Sequence, residues 1–140
     1  MSLRRRNKYN ARKIEACIQC GFQPTGNGAK VVCGCEISVV HDFDSKAEHR
    51  RFQELLLLKK ADQIRALEIQ PVIYLHAKNK SDEVTCIGKY KADFRYYEKR
   101  VMINFWDVIY EDVKGVDTAL SKWKRKHVKA EHGIEVRIIK

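Results

Sequence analysis

The spacing of apolar residues in the first half of the chain predicts a strand followed by a helix. Residues 36–43 are rich in β-branched side chains and predict a short strand. Ser45 is a typical residue at the start of a helix, and helical spacing of apolar residues follows it through Ile64 and at most to Leu67. Pro71 marks the end of this segment.

The second half of the chain carries three segments that predict strands. Residues 72–76 form the first, and residues 84–97 and 101–112 are longer segments rich in aromatic and β-branched side chains. Residues 98–100 are short enough to form a hairpin turn between the two long strands.

A final helix and a closing strand are predicted after Gly115, which interrupts the last long strand. Asp117 or Thr118 caps the helix, Gly133 terminates it, and residues 134–139 form the strand. The predicted order is strand, helix, three strands, helix, strand. This order indicates an α/β fold with a mixed sheet and helices packed on it.

Composition narrows the class of protein. The chain has 140 residues, of which 44% are apolar and 33% are charged, as expected for a folded domain without a separate cofactor domain. The longest apolar run in the first half, Leu55 to Leu58, is too short to cross a membrane, and the N-terminus has no apolar segment of the secretory type. We therefore expect a cytoplasmic protein that does not contact membranes.

Positive charge is concentrated in two places. The chain has 28 Lys and Arg residues against 18 acidic ones, a formal net charge of +10. Residues 1–13 contain no acid and predict a flexible basic arm, and the final helix is also basic. A polyanion such as DNA is the expected partner, although a solvated, solubilising surface is the alternative. The candidate phosphate contacts are Arg4, Arg5, Arg6, Lys122, Lys124, Arg125 and Lys126.

Four cysteines occur in a segment that glycine and proline keep free of long regular elements, residues 14–36. They form two closely spaced pairs, Cys17 with Cys20 and Cys33 with Cys35. Paired thiols in a reducing compartment favour a structural Zn²⁺ site over disulfides. His41 is a possible replacement ligand, and four small buried side chains are the alternative interpretation.

Two aspartates and a lysine on the long strands predict a site for Mg²⁺ or Mn²⁺. Because side chains alternate along a strand, Asp112 and Lys114 face one side while Glu111 and Val113 face the other. If the strands form a hairpin, Asp93 comes beside Asp112, and two carboxylates so close require a cation. The alternative is a solvated strand end with one outward-facing aspartate.

These motifs resemble those of the PD-(D/E)XK nuclease superfamily, and more narrowly those of small phage and prophage proteins of a domain-of-unknown-function family placed within it. The resemblance covers most of residues 43–140, and Ala92 stands where the superfamily motif has proline. The segments that carry the resemblance are residues 43–55, Gln70-Pro71, Lys91-Ala92-Asp93-Phe94, Glu111-Asp112-Val113-Lys114-Gly115 and residues 133–136.

The resemblance implies a restriction-endonuclease-like core of helix, three strands, helix and strand, formed by residues 37–140. It also implies that Asp93, Asp112 and the carbonyl of Val113 ligate Mg²⁺, while Lys114 positions the attacking water. Glu48 would be a further catalytic acid, although Ser45 and Glu48 also have the spacing of a capping box. Gln70 is a weaker site candidate. Residues 14–36 are not part of the family pattern and are interpreted as an insertion.

The first functional hypothesis is a Mg²⁺-dependent endonuclease that cleaves DNA phosphodiester bonds. Phage relatives implied by the resemblance often resolve branched recombination intermediates such as Holliday junctions, which implies a homodimer and a bacterial host cytoplasm. The alternative is a zinc-stapled nucleic-acid-binding protein without catalysis. A third hypothesis is a phage protein that binds a replication protein.

Overall fold

The computed structural model describes residues 13–23, 33–35 and 39–140, which form two units. The first unit ends at Ala61 and the second comprises Asp62–Lys140. The candidate phosphate contacts Arg4, Arg5 and Arg6 lie outside the described residues.

The first unit contains a short hairpin and one helix. Strand β1 (Ile14–Cys17) pairs antiparallel with β2 (Val40–Phe43), and helix α1 (Lys46–Lys60) follows. The predicted helix start at Ser45 is confirmed, because Ser45 Oγ accepts a hydrogen bond from the Glu48 backbone N–H at 3.1 Å. The helix buries one face, on which Phe52 packs against Phe43 with ring centroids 5.0 Å apart.

The predicted continuation of helix α1 through Ile64 is wrong. The helix ends at Lys60, and Asp62 adopts a left-handed φ of 53° that starts a turn. The next residues form strand β3 (Ile64–Ile69), which belongs to the second unit. The apolar residues Ile64 and Leu67 therefore follow strand geometry, although their spacing from the leucine run fits a helix.

The second unit begins with two long, kinked strands. The first consists of β3 and β4 (Val72–Lys78), and the second of β5 (Val84–Lys91) and β6 (Phe94–Arg100). Strand β3 pairs with β6 and β4 with β5, both antiparallel. The pairing continues through the kinks, because Gln70 donates to the Asp93 carbonyl at 2.8 Å and Ala92 donates to the Pro71 carbonyl at 3.1 Å.

Strand β7 (Phe105–Val113) extends the sheet from β6, and the closing strand β8 (Val136–Ile139) lies parallel to β7. The four-stranded sheet therefore has the order β3-β6-β7-β8. The hairpin turn predicted at residues 98–100 lies at residues 101–104, since pairing continues to Arg100 opposite Phe105. Residues 101–103, predicted as strand, lie in this turn, and Met102 is 97% exposed.

Helix α2 (Ala119–His132) connects β7 to β8. Thr118 caps its start, and Gly133 ends it with a left-handed φ of 67°, as predicted. Val128 of this helix is fully buried in a core with four residues of the second unit, namely Ile73, Leu75, Tyr90 and Ala92. The mixed α/β fold predicted from the sequence is confirmed, with a core formed mostly by sheet.

Neither described helix could cross a membrane. Helices α1 and α2 have 15 and 14 residues and carry many charges, whereas a membrane-spanning helix needs about 20 mostly apolar residues.

Candidate functional site

Asp112 is a buried carboxylate near the end of strand β7. Its side chain is 2% exposed, and Lys114 Nζ lies 3.0 Å from its Oδ1. Its Oδ2 accepts a hydrogen bond from the hydroxyl of Tyr90 on β5. Burial, followed by this hydrogen bond, raises the pKa of Tyr90 well above its usual value, so the phenol keeps the proton that it donates. One carboxylate oxygen therefore faces an ammonium group and the other a neutral donor.

Asp93 lies at the kink between β5 and β6, on the strand that pairs with β7. The register that pairs Phe94 with Glu111 places Asp93 opposite Asp112, and the Asp93 backbone N–H donates to the Glu111 carbonyl at 2.9 Å. Asp93 Oδ2 accepts a hydrogen bond from the Val113 backbone N–H at 2.6 Å. The carboxylate of Asp93 therefore bonds to the residue between Asp112 and Lys114.

A second buried carboxylate, Glu111, has different partners from those of Asp112. It is fully buried and accepts a hydrogen bond from the Tyr96 hydroxyl. The Arg137 guanidinium lies 3.7 Å from Glu111 and also donates to Glu98 at 3.0 and 3.2 Å. Because neighbouring strand residues face opposite sides, Glu111 forms a network apart from that of Asp112.

The sequence did not predict two hydrogen bonds to these carboxylates. The contacts of Tyr90 with Asp112 and of Tyr96 with Glu111 join residues 22 and 15 positions apart. No local pattern indicates such pairs, because they depend on how the kinked strands align.

An open cleft of about 500 Å³ lies next to Lys114. Three lysines line it together with Gly115, Asp117 and Ile138; they are Lys114, Lys122 and Lys140. The negative charge of Asp117 is offset, because the Arg125 guanidinium donates to both of its oxygens at 2.7 and 2.9 Å. This pairing lowers the pKa of Asp117 below its usual value. The cleft is therefore positively charged.

Helix α2 carries the other basic residues predicted to contact phosphate. Lys122 and Lys126 are exposed, and Lys124 Nζ donates to the Lys89 carbonyl at 3.1 Å. Arg125 is held by Asp117 and Ser121, so its charge is already compensated within the protein. The free cationic surface among these four residues thus consists chiefly of Lys122 and Lys126.

Glu48 belongs to the first unit, where it completes a capping box at the start of helix α1. Its Oε2 accepts a hydrogen bond from the Asp44 backbone N–H at 3.2 Å, and the Ser45 hydroxyl lies 3.5 Å from its Oε1. The residue is 8% exposed. These contacts match the capping interpretation of the sequence.

The four cysteines of the two predicted pairs lie together in the first unit. Their sulfur atoms are all within 4.8 Å of one another, so Cys17, Cys20, Cys33 and Cys35 could hold a metal ion such as zinc. Gly21 and Gly34 follow the second and third of these cysteines with left-handed φ angles of 73° and 72°. These conformations, which glycine adopts readily, turn the backbone around the sulfur atoms.

The surroundings of the sulfur atoms favour a thiolate at Cys33 and a protonated thiol at Cys35. The backbone N–H of Cys35, together with the Cys17 and Cys35 thiols, lowers the pKa of Cys33 to about 7. The hydrogen bond with Cys33 is the main cause that raises the pKa of Cys35 to about 12. A metal ion that displaces the protons of these cysteine thiols would leave all four cysteines as thiolates.

Helix α1 packs directly against the turn of the first cysteine pair. His49 Nε2 lies 2.9 Å from the carbonyl oxygen of Gly21, and the side-chain amide of Gln53 donates to the same oxygen at 3.4 Å. A Cβ atom at Gly21 would lie 3.1 Å from Gln53 Cγ and 3.2 Å from Leu56 Cδ1. The turn therefore favours glycine for its conformation, and a Cβ atom there would make tight contacts with helix α1.

Comparison with known proteins gives one family. The family model described as "Protein of unknown function (DUF1064)" matches residues 29–139. The match includes Cys33 and Cys35 but starts after Cys17 and Cys20, so only part of the segment interpreted as an insertion precedes it. No curated protein and no solved structure matches the chain.

Proposed function

The chain belongs to the DUF1064 family, and from the carboxylate site of its second unit we propose that it is a metal-dependent endodeoxyribonuclease of the PD-(D/E)XK superfamily. The observation that carries the proposal is the grouping of Asp93, Asp112 and Lys114 around Val113, beside a cleft lined by lysines. The order β3-β6-β7-β8, with β7 and β8 parallel, supports a restriction-endonuclease-like topology.

The donor set at this site fits a hard divalent cation. Asp93 and Asp112 offer carboxylate oxygens and Val113 offers a carbonyl, which are ligands suited to Mg²⁺ or Mn²⁺. The Lys114 ammonium group, 3.0 Å from Asp112, supplies the positive charge that a buried carboxylate needs. When bound, a divalent cation would polarise the scissile phosphate and lower the pKa of a water ligand.

Asp112, Lys114 and Tyr90 would have separate roles in the reaction. Asp112, held by the Tyr90 hydroxyl, would keep its orientation when Lys114 turns from it toward the reacting phosphate. Lys114 would then orient the attacking water and stabilise the negative charge that develops on the phosphate oxygens. Tyr90 acts through Asp112 and is a positioning residue.

The lysines of the cleft would contact the DNA backbone. Lys122 and Lys140 lie beside Lys114, and Lys126 is exposed on the same helix as Lys122. Phosphate contacts of this kind give affinity without reading the base sequence. We therefore propose a substrate that is recognised by its shape, as in branched DNA or a four-way junction, and a homodimer that presents two sites to it.

We further propose that Cys17, Cys20, Cys33 and Cys35 bind one structural zinc ion, since four protein ligands leave no open position for a substrate. Total-metal analysis tests this directly. The wild-type chain and Cys86→Ser, a control on strand β5, should retain this zinc ion, and Cys17→Ser should lose it. Equal zinc in all three proteins would contradict the assignment.

Cleavage of four-way junction, flap and linear duplex DNA tests the nuclease proposal. Wild-type protein should cleave branched substrates with Mg²⁺ or Mn²⁺, whereas Asp112→Asn should not. Glu111→Gln is the matched control, because it alters a neighbouring buried carboxylate that has other partners. Equal cleavage by wild type and Asp112→Asn would remove Asp112 from the mechanism. Salt-sensitive DNA binding without any product would favour the zinc-stapled binding protein instead.

A further inference from the structure

Two histidines, His76 and His132, lie close to the carboxylate of Glu131 where helix α2 ends beside strand β4. Glu131 and His132 lie in the last turn of the helix, and His76 lies on β4. His76 Nδ1 is 2.6 Å from Glu131 Oε1, and His132 Nε2 is 3.5 Å from Glu131 Oε2. One potential ligand atom from each of these three residues lies within 4.8 Å of the other two. The cluster shares no residue with the site of the proposed nuclease.

We propose that His76, Glu131 and His132 bind a divalent ion of the zinc class, which joins helix α2 to strand β4. Two imidazoles and one carboxylate form a donor set typical of zinc. Two ligands about 2.0 Å from one tetrahedral zinc ion lie roughly 3.3 Å from each other. The separations of 2.6 and 3.5 Å involve different oxygens of Glu131, and the ligand atoms of the whole set lie within 4.8 Å of one another. A tetrahedral site therefore requires side-chain movements of about 1–2 Å.

The carboxylate of Glu131 is held in place before any ion binds. The His76 backbone N–H donates to Glu131 Oε2 at 2.8 Å, and this bond is the main cause that lowers the pKa of Glu131. His127 Nε2 lies 3.2 Å from the same oxygen and 2.9 Å from the His76 carbonyl. These neighbours orient Glu131 as outer contacts commonly orient a metal ligand.

Metal binding through His76 Nδ1 and His132 Nε2 requires a change of tautomer at both residues, since His132 Nε2 donates to the Tyr74 carbonyl at 2.8 Å. A charged carboxylate can only accept a hydrogen bond, so the contact with Glu131 places the proton of neutral His76 on Nδ1. When Nδ1 ligates a metal ion, the proton moves to Nε2 and the imidazole stays neutral.

The cluster is accessible to an ion from solvent. The side chains of His76, Glu131 and His132 are 36%, 24% and 31% exposed. Three protein ligands leave the fourth position of a tetrahedral site to water. Because the ligands come from β4 and from the end of α2, the ion would stabilise the packing of the helix that carries Lys122 of the cleft.

Zinc content and thermal stability of the full chain test the inference. After equilibration with micromolar Zn²⁺, wild-type protein should retain one more zinc ion than Glu131→Gln. Glu135→Gln is the matched control, since Glu135 is an exposed carboxylate just beyond the helix that pairs with Lys129. It should retain the wild-type zinc content. Zinc should also raise the melting temperature of the control more than that of Glu131→Gln.

Co²⁺ distinguishes this site from the cysteine cluster. Cys17→Ser protein should bind one more Co²⁺ ion than the double variant Cys17→Ser/Glu131→Gln, and that additional ion should show no thiolate charge-transfer band. His76→Gln provides a second variant if Glu131→Gln does not fold. The proposal would be overturned if the folded Glu131→Gln and His76→Gln variants contained as much zinc as wild type, or if the ion outside the cysteine cluster persisted in them. Neither result depends on DNA cleavage.

Discussion

Replacing Tyr90 with phenylalanine tests the buried contact that holds Asp112. The variant keeps the aromatic ring but removes the hydroxyl that donates to Asp112 Oδ2. Tyr90 is 4% exposed and Asp112 is 1% exposed, so water cannot readily replace the lost donor. A buried acceptor left without its partner costs about 1–3 kcal/mol. We expect about 2 kcal/mol, because Lys114 still compensates the charge.

Urea denaturation measures this loss in the free energy of unfolding. With a slope of about 2 kcal/mol per molar urea, a loss of about 2 kcal/mol shifts the midpoint down by about 1 M. Tyr74→Phe is the control, since Tyr74 is 58% exposed on the adjacent strand and should change stability by less than about 0.5 kcal/mol. Tyr96→Phe should cost about as much as Tyr90→Phe, because Tyr96 donates to buried Glu111.

The two tyrosine variants separate stability from activity. Tyr90→Phe should also weaken cleavage, because Asp112 loses the contact that orients it, whereas Tyr96→Phe should retain cleavage when both are assayed well below their unfolding midpoints. An unchanged midpoint for Tyr90→Phe, with an unchanged slope, would refute the reasoning about the buried hydrogen bond.

Three further outcomes are expected. Asp117→Asn should be less stable than wild type at pH 7, because Arg125 lowers the folded-state pKa of Asp117. This stabilisation is present above the unfolded pKa of about 3.9 and is lost as the pH falls through the folded pKa, so urea midpoints should converge at low pH. Gly21→Ala should destabilise the first unit more than Gly34→Ala, since a Cβ atom at Gly21 would lie 3.1 Å from Gln53 Cγ and one at Gly34 would meet no described atom within 4 Å; equal melting temperatures would contradict this. Lys114→Met should bind DNA but cleave it at least about 100-fold more slowly, as measured in single-turnover assays.

Local signals in the sequence predicted both helix starts and the end of the second helix. Ser45 and Thr118 cap their helices through their own side chains, and Gly133 ends helix α2 by its conformation. Such features depend on a few neighbouring residues and can therefore be predicted without knowledge of the fold.

The bends of the chain could not be predicted in the same way. Asp62, Ala66, Gln70 and Asn104 adopt left-handed φ angles between 48° and 53°, although none is glycine. These residues mark the end of the first helix, a bulge in β3, the kink before Pro71 and the hairpin turn. Because tertiary pairing imposes these conformations, β propensity placed the hairpin turn too early.

The candidate carboxylate site was predicted through strand alternation and register. Asp112 and Lys114 lie two residues apart on one strand, and the contact at 3.0 Å is the one that alternation suggests. The contact of Tyr90 with Asp112 is not determined by alternation, whereas the spacing of Ser45 and Glu48 already suggested the capping contacts of Glu48.

Binding of Mn²⁺, measured by electron paramagnetic resonance, tests most directly whether two aspartates share one ion. In zinc-loaded protein, wild type and Glu111→Gln should bind Mn²⁺ equally at this site, and Asp93→Asn and Asp112→Asn should each lose it. Undiminished Mn²⁺ binding by both asparagine variants would contradict the shared site, and with it the proposed hydrolysis of DNA.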